Sequence, residues 1–314
     1  MTLPTQWLRV ARADADDAAI REAAHLLREG GIVAFPTETV YGLGAIASNG
    51  AAVRKVFAAK GRPASVPLII HVRDVEQARK YVKAVPNTAL ALAKAHWPGP
   101  LTLVLDRADG VPDDVSAGGP TVGVRVPNHP VALALLDVLG EGIAAPSANL
   151  YDRLPPVRAE HVMDGLAGRI DAVLDAGRCP GGLESTVLDA RSEPVLVLRR
   201  GMVATDRLGV PAVDMATEAR PREGGWIRVG EAADYPAWAS EHVGQALGHV
   251  AMSDAASGRV MPLDAQSYAQ EMYDVLHELW ACGCVKVWVD APPRGGCWDS
   301  IWDRLVRLSG VSRS

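Results

Sequence analysis

The chain is poor in the residues that would place it in several large protein classes. Cysteine occurs at only four of 314 positions, Cys179, Cys282, Cys284 and Cys297. They form no paired C-x-x-C knuckles, so neither a zinc knuckle nor a disulfide framework is expected; free thiols in a reducing compartment are. No apolar run approaches the roughly 18 residues that cross a bilayer. The N-terminal MTLPTQWLRV lacks the apolar core of a signal peptide. A cytoplasmic protein without a membrane partner is therefore expected. Basic excess is missing too. The formal net charge is −5, and all of the acidic excess lies in residues 204–314, while 1–203 balance. A chain built to live on a phosphate backbone carries a strong positive balance, so weak or no direct binding of nucleic acid is expected.

The common phosphate loops and nucleophile motifs are also lacking. There is no G-x-x-x-x-G-K-[ST], and Gly42-Leu43-Gly44 has no third glycine to complete G-x-G-x-x-G. No G-x-S-x-G elbow is present. A bound nucleotide would thus be gripped in another way. Without a protein nucleophile, one substrate would attack another directly, and catalysis would rest on positioning and charge neutralisation.

What is present reads as a globular α/β protein. Apolar residues make up 48% and charged residues 22%, and the length fits about two domains. Asp16 to Glu29 predicts a helix with Ile20, Ala23, Ala24 and Leu27 on one face and Gly30-Gly31 at its end. Ala51 to Ala59 predicts another, and a third opens at His129-Pro130 and closes at Gly140. Short β-rich runs at 32–35, 68–72, 101–105, 122–126, 143–145, 173–174, 186–188 and 195–198 predict strands. Strands mixed with helices in this way argue for an open twisted sheet. Residues 204–228, rich in proline, glycine and charge, read as a linker between a domain at 1–203 and a small lobe at 229–314. In that lobe a strand is expected within 244–252, a helix over 266–281, a strand over 285–289 and a helix over 300–308. Trp288, Trp298 and Trp302 read as packing residues.

Polar residues gather where the strands stop. Thr37-Glu38-Thr39 follows a strand, Lys60-Gly61-Arg62 follows a helix, and Arg125 lies in a strand. Ser147 and Asn149 follow a strand, and Glu184-Ser185-Thr186 open one. Polar groups at strand ends build ligand clefts in open α/β sheets. The cations Lys60, Arg62 and Arg125 point to an anionic ligand, because arginine grips phosphate or carboxylate with two parallel bonds and lysine offers a point charge. Taken singly, each also reads as half of a surface ion pair.

These residues lie in the stretches FPTETVYGLGA, AAKGRP, PLIIHV, WPGPLTLVL, TVGVRVPNHP, IAAPSAN, ESTVLD and VLRRG. In this order they resemble the Sua5/YrdC family of threonylcarbamoyl-adenylate synthases from about residue 15 to 203. The K-x-R pair Lys60/Arg62 and the S-x-N pair Ser147/Asn149 carry most of the likeness. The resemblance implies a YrdC-like twisted, open mixed sheet with helices. The later lobe resembles the small α/β, Rossmann-like lobe of the longer Sua5 branch.

The implied activity joins L-threonine, bicarbonate or CO2, and ATP with Mg2+ into threonylcarbamoyl-AMP and pyrophosphate. A threonylcarbamoyl transferase acting on tRNA position 37 would use that product for t6A modification. Carried over by position, Thr39, His71, Arg125 and Ser185 are the implied threonine site, with Arg125 holding the carboxylate. Lys60, Arg62, Thr121, Ser147, Asn149 and Arg199 are the implied ATP site. Lys60, Arg62, Ser147 and Asn149 are the implied catalytic group, Thr37 shapes the pocket, and no resident metal ligand is implied. Rival readings are a sibling that makes a carbamoyl-adenylate from another donor, and an RNA-binding module that keeps only the fold. The sequence departs from the family pattern at Val66, at Leu150-Tyr151-Asp152, and in a linker without a His-Tyr-Ala-Pro stretch. Trp226 or Arg228 is the expected replacement for that stretch at the nucleotide.

Overall fold

Asp17 starts the first helix, Ala18–Arg28, by accepting from the backbone N–H groups of Ala19 and Ile20. Its other oxygen accepts from Ala11 and Arg12, each at 2.9 Å. Burial works against ionisation of Asp17, yet these four donors together hold its carboxyl below the ordinary range. The helix buries Ile20, Ala23, Ala24 and Leu27. This stripe packs on Val131, Leu135 and Leu136 of the helix Pro130–Leu139 and on the sheet residues Val33, Phe35 and Ile143. Proline at the start and left-handed Gly140 at the end bound that second helix.

This computed structural model describes residues 4–216, 225–253 and 258–309. It falls into two units, one of residues 1–151, 155–180 and 184–216, the other of 152–154, 181–183 and 217–314. The first unit is organised on one mixed sheet. Its strands are β1 (Gln6–Arg9), β2 (Val33–Phe35), β3 (Gly42–Ile46), β4 (Ile69–His71), β5 (Leu101–Asp106), β6 (Thr121–Arg125), β7 (Ile143–Ala145), β8 (Ala172–Asp175), β9 (Thr186–Asp189), β10 (Val195–Arg199) and β11 (Ala212–Asp214). Their order across the sheet is β1-β8-β2-β3-β7-β4-β6-β5-β9-β10-β11. β3 runs antiparallel to both β2 and β7, β7 antiparallel to β4, and β4 parallel to β6.

Sequence patterning missed β1, β3 and β11 and the helices Asn87–His96 and Ala159–Leu166. Gly42 and Gly44 break the apolar pattern of β3 and hide it as a strand. Packing explains the second glycine: a Cβ there would lie 2.3 Å from Ile143 Cγ2. β11 lies inside the stretch read as linker, so the first unit continues beyond residue 203. Its register, Val195 opposite Ala212 through Val197 opposite Asp214, covers the edge of β10. Of the linker reading, residues 217–224 lie outside the described residues.

In the second unit four parallel strands, β12 (Ile227–Gly230), β13 (Leu247–Ala251), β14 (Arg259–Val260) and β15 (Lys286–Asp290), are ordered β12-β15-β13-β14. Helices Tyr235–Glu241, Ala265–Ala281 and Trp298–Leu308 connect and follow them. Buried Asp290 is fully engaged: it accepts from Trp288 Nε1 and Met252 N and pairs with His249 Nε2 at 2.9 Å. Tyr235 stacks on His249 with ring centroids 3.8 Å apart.

Trp226 is not available to a nucleotide, against the sequence expectation. Trp226 is 2% exposed, donates through Nε1 to Cys284 O at 2.8 Å, and meets Trp280 edge-on at 4.9 Å. It is a core residue of its own unit, because indole buries a large apolar area once its N–H is satisfied. It is not a free side chain for a nucleotide. Arg228 lies in β12 with an exposed side chain.

Candidate active site

Nine of the ten residues singled out from the sequence fall into three groups in the first unit, and Thr121 stands apart from them at the start of β6. The first centres on Arg125, which is 4% exposed. Its Nε donates to Gly99 O at 3.2 Å, and its Nη2 donates to Thr39 Oγ1 at 3.2 Å and lies 2.7 Å from Glu38 Oε2. Thr39 is held in turn by Thr37: the two hydroxyls are 2.8 Å apart, and Thr37 Oγ1 donates to Val40 O. The turn after β2 thus presents a rigid hydroxyl and a carboxylate to one guanidinium. His71 is the register partner of Arg125 on neighbouring β4, edge-on to Phe35 at 5.6 Å. Burial, helped by the nearby Arg125 charge, pushes its pKa down to about 3. It is a neutral imidazole, and its Nδ1 has no hydrogen-bond partner among the described residues.

The second group joins β5, β9 and β10. Ser185 and Thr102 share a hydroxyl hydrogen bond of 2.8 Å. Arg199 closes on Ser185 with Nε and Nη2 on its carbonyl, at 3.1 and 2.9 Å, and Nη2 also on Oγ at 2.9 Å. Gly201 makes this approach possible: a Cβ there would lie 2.4 Å from the Ser185 carbonyl carbon. Thr102 carries no functional signal in its apolar stretch of sequence, and Gly201 none beyond closing VLRRG.

The third group sits around the end of the helix Gly50–Lys60. Left-handed Gly61, at φ 63°, ends that helix and turns the chain into Arg62. Lys60 is 2% exposed and donates to the carbonyls of Ser147 and Asn149. Burial, and then the charge of Arg62, pushes its pKa down to about 7. Arg62 reaches the carbonyls of Val66 and Pro67 at 3.4 and 3.2 Å, with its guanidinium 6.0 Å from the centre of the Tyr151 ring. Val66, a departure from the family pattern, thus contributes its carbonyl and not its side chain. Asp152, another departure, stands at φ 57°, a conformation Asp tolerates better than most residues.

These groups stand at both ends of the strands and not at one. β7 opposes β4 and β6 in direction, so Ser147, after β7, lies at the opposite strand end from His71 and Arg125, at the ends of β4 and β6. Thr121, Gly123 and Arg125 share one face of β6 by the two-residue period. A Cβ on Gly123 would sit 3.1 Å from Thr102 Cγ2 and 3.5 Å from Ile69 Cγ1, so the side chains of the neighbouring strands close over that position. Buried Cys179, whose thiol burial pushes up to about 12, is no nucleophile.

A family profile described as "Telomere recombination", Sua5_yciO_yrdC, matches residues 25–201. The chain belongs to this family. Two Sua5/YciO/YrdC relatives carry the name threonylcarbamoyl-AMP synthase. The one from Pyrococcus abyssi is 49% identical over 182 residues, which are 58% of this chain and 54% of the relative. The one from Bacillus subtilis is 47% identical over 194 residues, 62% of this chain and 56% of the relative. Those matches therefore span only about half of each relative's length. A structure of P. abyssi Sua5 complexed with L-threonine superposes with a TM-score of 0.87 at 32% identity, covering 98% of both chains. E. coli YciO matches with a TM-score of 0.57 at 26% identity, over 64% of this chain and 96% of its own. A mixed α/β sheet with a further small lobe is thus the architecture this chain shares with Sua5. Among the described residues no helix is long and apolar enough to cross a membrane, and no group of three or more His, Cys, Asp and Glu is placed to hold a metal ion.

Proposed function

We propose that the chain is a nucleotidyltransferase, an L-threonylcarbamoyladenylate synthase acting on L-threonine, bicarbonate or CO2, and ATP. The observation that carries this reading is the buried Arg125–Thr39 constellation, in a family member whose relatives bear that name. Arg125 receives the carboxylate of threonine. Thr39, Ser185 and neutral His71 surround the remainder of the amino acid. The amine, once carboxylated, presents an N-carboxylate oxygen that attacks the α-phosphorus of ATP, and pyrophosphate leaves. Charge accumulates on phosphate oxygens, and Lys60 and Arg62 neutralise it, with Ser147, Asn149, Thr121 and Arg199 holding the nucleotide. Mg2+ bound to the ATP phosphates would share that charge. The product passes to a threonylcarbamoyl transferase that modifies tRNA, and this chain, at a formal charge of −5, itself binds tRNA weakly or not at all.

The deciding assay is pyrophosphate release with each substrate omitted in turn. Release is expected only with ATP, threonine and bicarbonate together. Serine should be used about 10- to 200-fold less well, the worth of one methyl group in a fitted pocket. Equal release without any amino acid would falsify the assignment.

Lys60 adds a pH signature. The ammonium and not the amine attracts phosphate, so kcat/KM for ATP should fall as pH rises through about 7, the value to which burial lowers this group. Lys60→Arg, which stays charged, should flatten that descent. Stability runs the other way. The unfolded chain keeps Lys60 protonated up to its ordinary 10.5, so its contribution to folding improves as pH rises from about 7 to 10.5. A wild-type profile that stays flat between pH 6 and 9 would remove Lys60 from the phosphate site.

A further inference from the structure

The carboxylate of Glu38 has no part in the roles assigned above. It lies in the turn after β2, between Thr37 and Thr39, with its side chain 8% exposed. Oε2 is 2.7 Å from Arg125 Nη2. Beyond this ion pair, no hydrogen-bond donor among the described residues engages either oxygen. His129, near enough for the Glu38 charge to raise its proton affinity, does not fill the gap. Its Nδ1 is also buried without a hydrogen-bond partner, and burial outweighs the Glu38 charge to lower its pKa. It is therefore neutral and brings no second cation.

A buried carboxylate is stable when paired and when its lone pairs are taken up. One guanidinium nitrogen leaves most of the acceptor capacity of Glu38 open. The missing complement is a small cation with several N–H donors. If Arg125 holds an amino acid's carboxylate, the α-ammonium of the same molecule, one carbon away, falls beside Arg125's own ion-pair partner. The charges then alternate: guanidinium, substrate carboxylate, substrate ammonium, Glu38 carboxylate.

We propose that Glu38 is the recognition site for the substrate's α-ammonium, and that with Arg125 it selects zwitterionic amino acids over the corresponding hydroxy acids. This rests on the threonine reading of the Arg125 site. A neutral hydroxyl in place of the ammonium would leave the Glu38 charge unmatched, and sites built around a polar partner reject analogues that lack it.

The test is calorimetric titration of the full chain with L-threonine and with its deaminated analogue, 2,3-dihydroxybutanoate. Wild type should bind threonine at least about 100-fold more tightly than the analogue. In Glu38→Gln, threonine affinity should fall by a similar factor while the analogue changes by less than about threefold, so the discrimination collapses. Equal weakening of both ligands would mean that Glu38 only orients Arg125, and would overturn the proposal. So would equal affinity for the two ligands in wild type, a comparison that stands even if the variant fails to fold. Wild type that binds no threonine would instead sink the underlying reading and the proposal with it, a result distinct from either of the others.

Discussion

Arg125→Ala should lose threonine use and fold stability together. The guanidinium is the cation facing Glu38, at 2.7 Å, in a region where both side chains are less than a tenth exposed. Removing it leaves a carboxylate buried without its charge partner, which costs about 3–5 kcal/mol when one member of such a pair is deleted. The melting temperature should therefore drop clearly. On the variant that remains folded, KM for threonine should rise by roughly two to three orders of magnitude, while KM for ATP moves little, because the substrate carboxylate loses a charged, two-pronged partner. Pairing Arg125→Met with Glu38→Gln should restore much of the stability, since no unpaired charge is left, without restoring activity. Arg125→Lys should keep the fold but lose the fork geometry. Steady-state kinetics with each substrate varied, alongside thermal melts, separates these outcomes. An Arg125→Ala protein with normal threonine kinetics would show that the carboxylate is held elsewhere.

Arg62→Ala should act on rate and not on folding. Its guanidinium bonds to carbonyls of its own loop, at Val66 and Pro67, and stands over Tyr151. None of these three partners carries a charge that the deletion would strand. On the proposed reading it meets charge that develops on phosphate during the reaction, so kcat should fall by about 10- to 1000-fold with a smaller change in KM for ATP. Unchanged melting with a large loss of kcat is the expected pattern. A rise in KM alone would make Arg62 a binding residue that does not act in the transition state.

Local sequence determined much of this protein. The apolar stripe of Ala18–Arg28, its aspartate cap, the proline start and glycine stop of Pro130–Leu139, and the β-rich runs of β4 to β7 all formed where their periods and caps placed them. Those signals depend on dihedral preference and on which face of one element is apolar, and neighbours in the chain supply both. The chemical types at the site were legible for the same reason, since FPTET, AAKGRP and APSAN carry their hydroxyls, cations and amide in short stretches.

Contacts between distant parts of the chain decided the remainder. Arg125 meets Thr39 across 86 residues, Lys60 meets Asn149 across 89, and Ser185 meets Thr102 across 83. Whether such residues meet depends on strand order and direction, which no local pattern encodes. The reversal of β7 against β4 and β6 put Ser147 at the opposite strand end from His71 and Arg125. Strand order also brought Thr102, unremarked in an apolar run, to Ser185, and set Glu38 against Arg125. Trp226, which sequence alone left available to a ligand, was committed to the core of the second unit once Trp280 and Cys284 closed on it. Side-chain identity set what each residue can do; long-range pairing, worth its loop-closure entropy only in the folded chain, set which residues do it together.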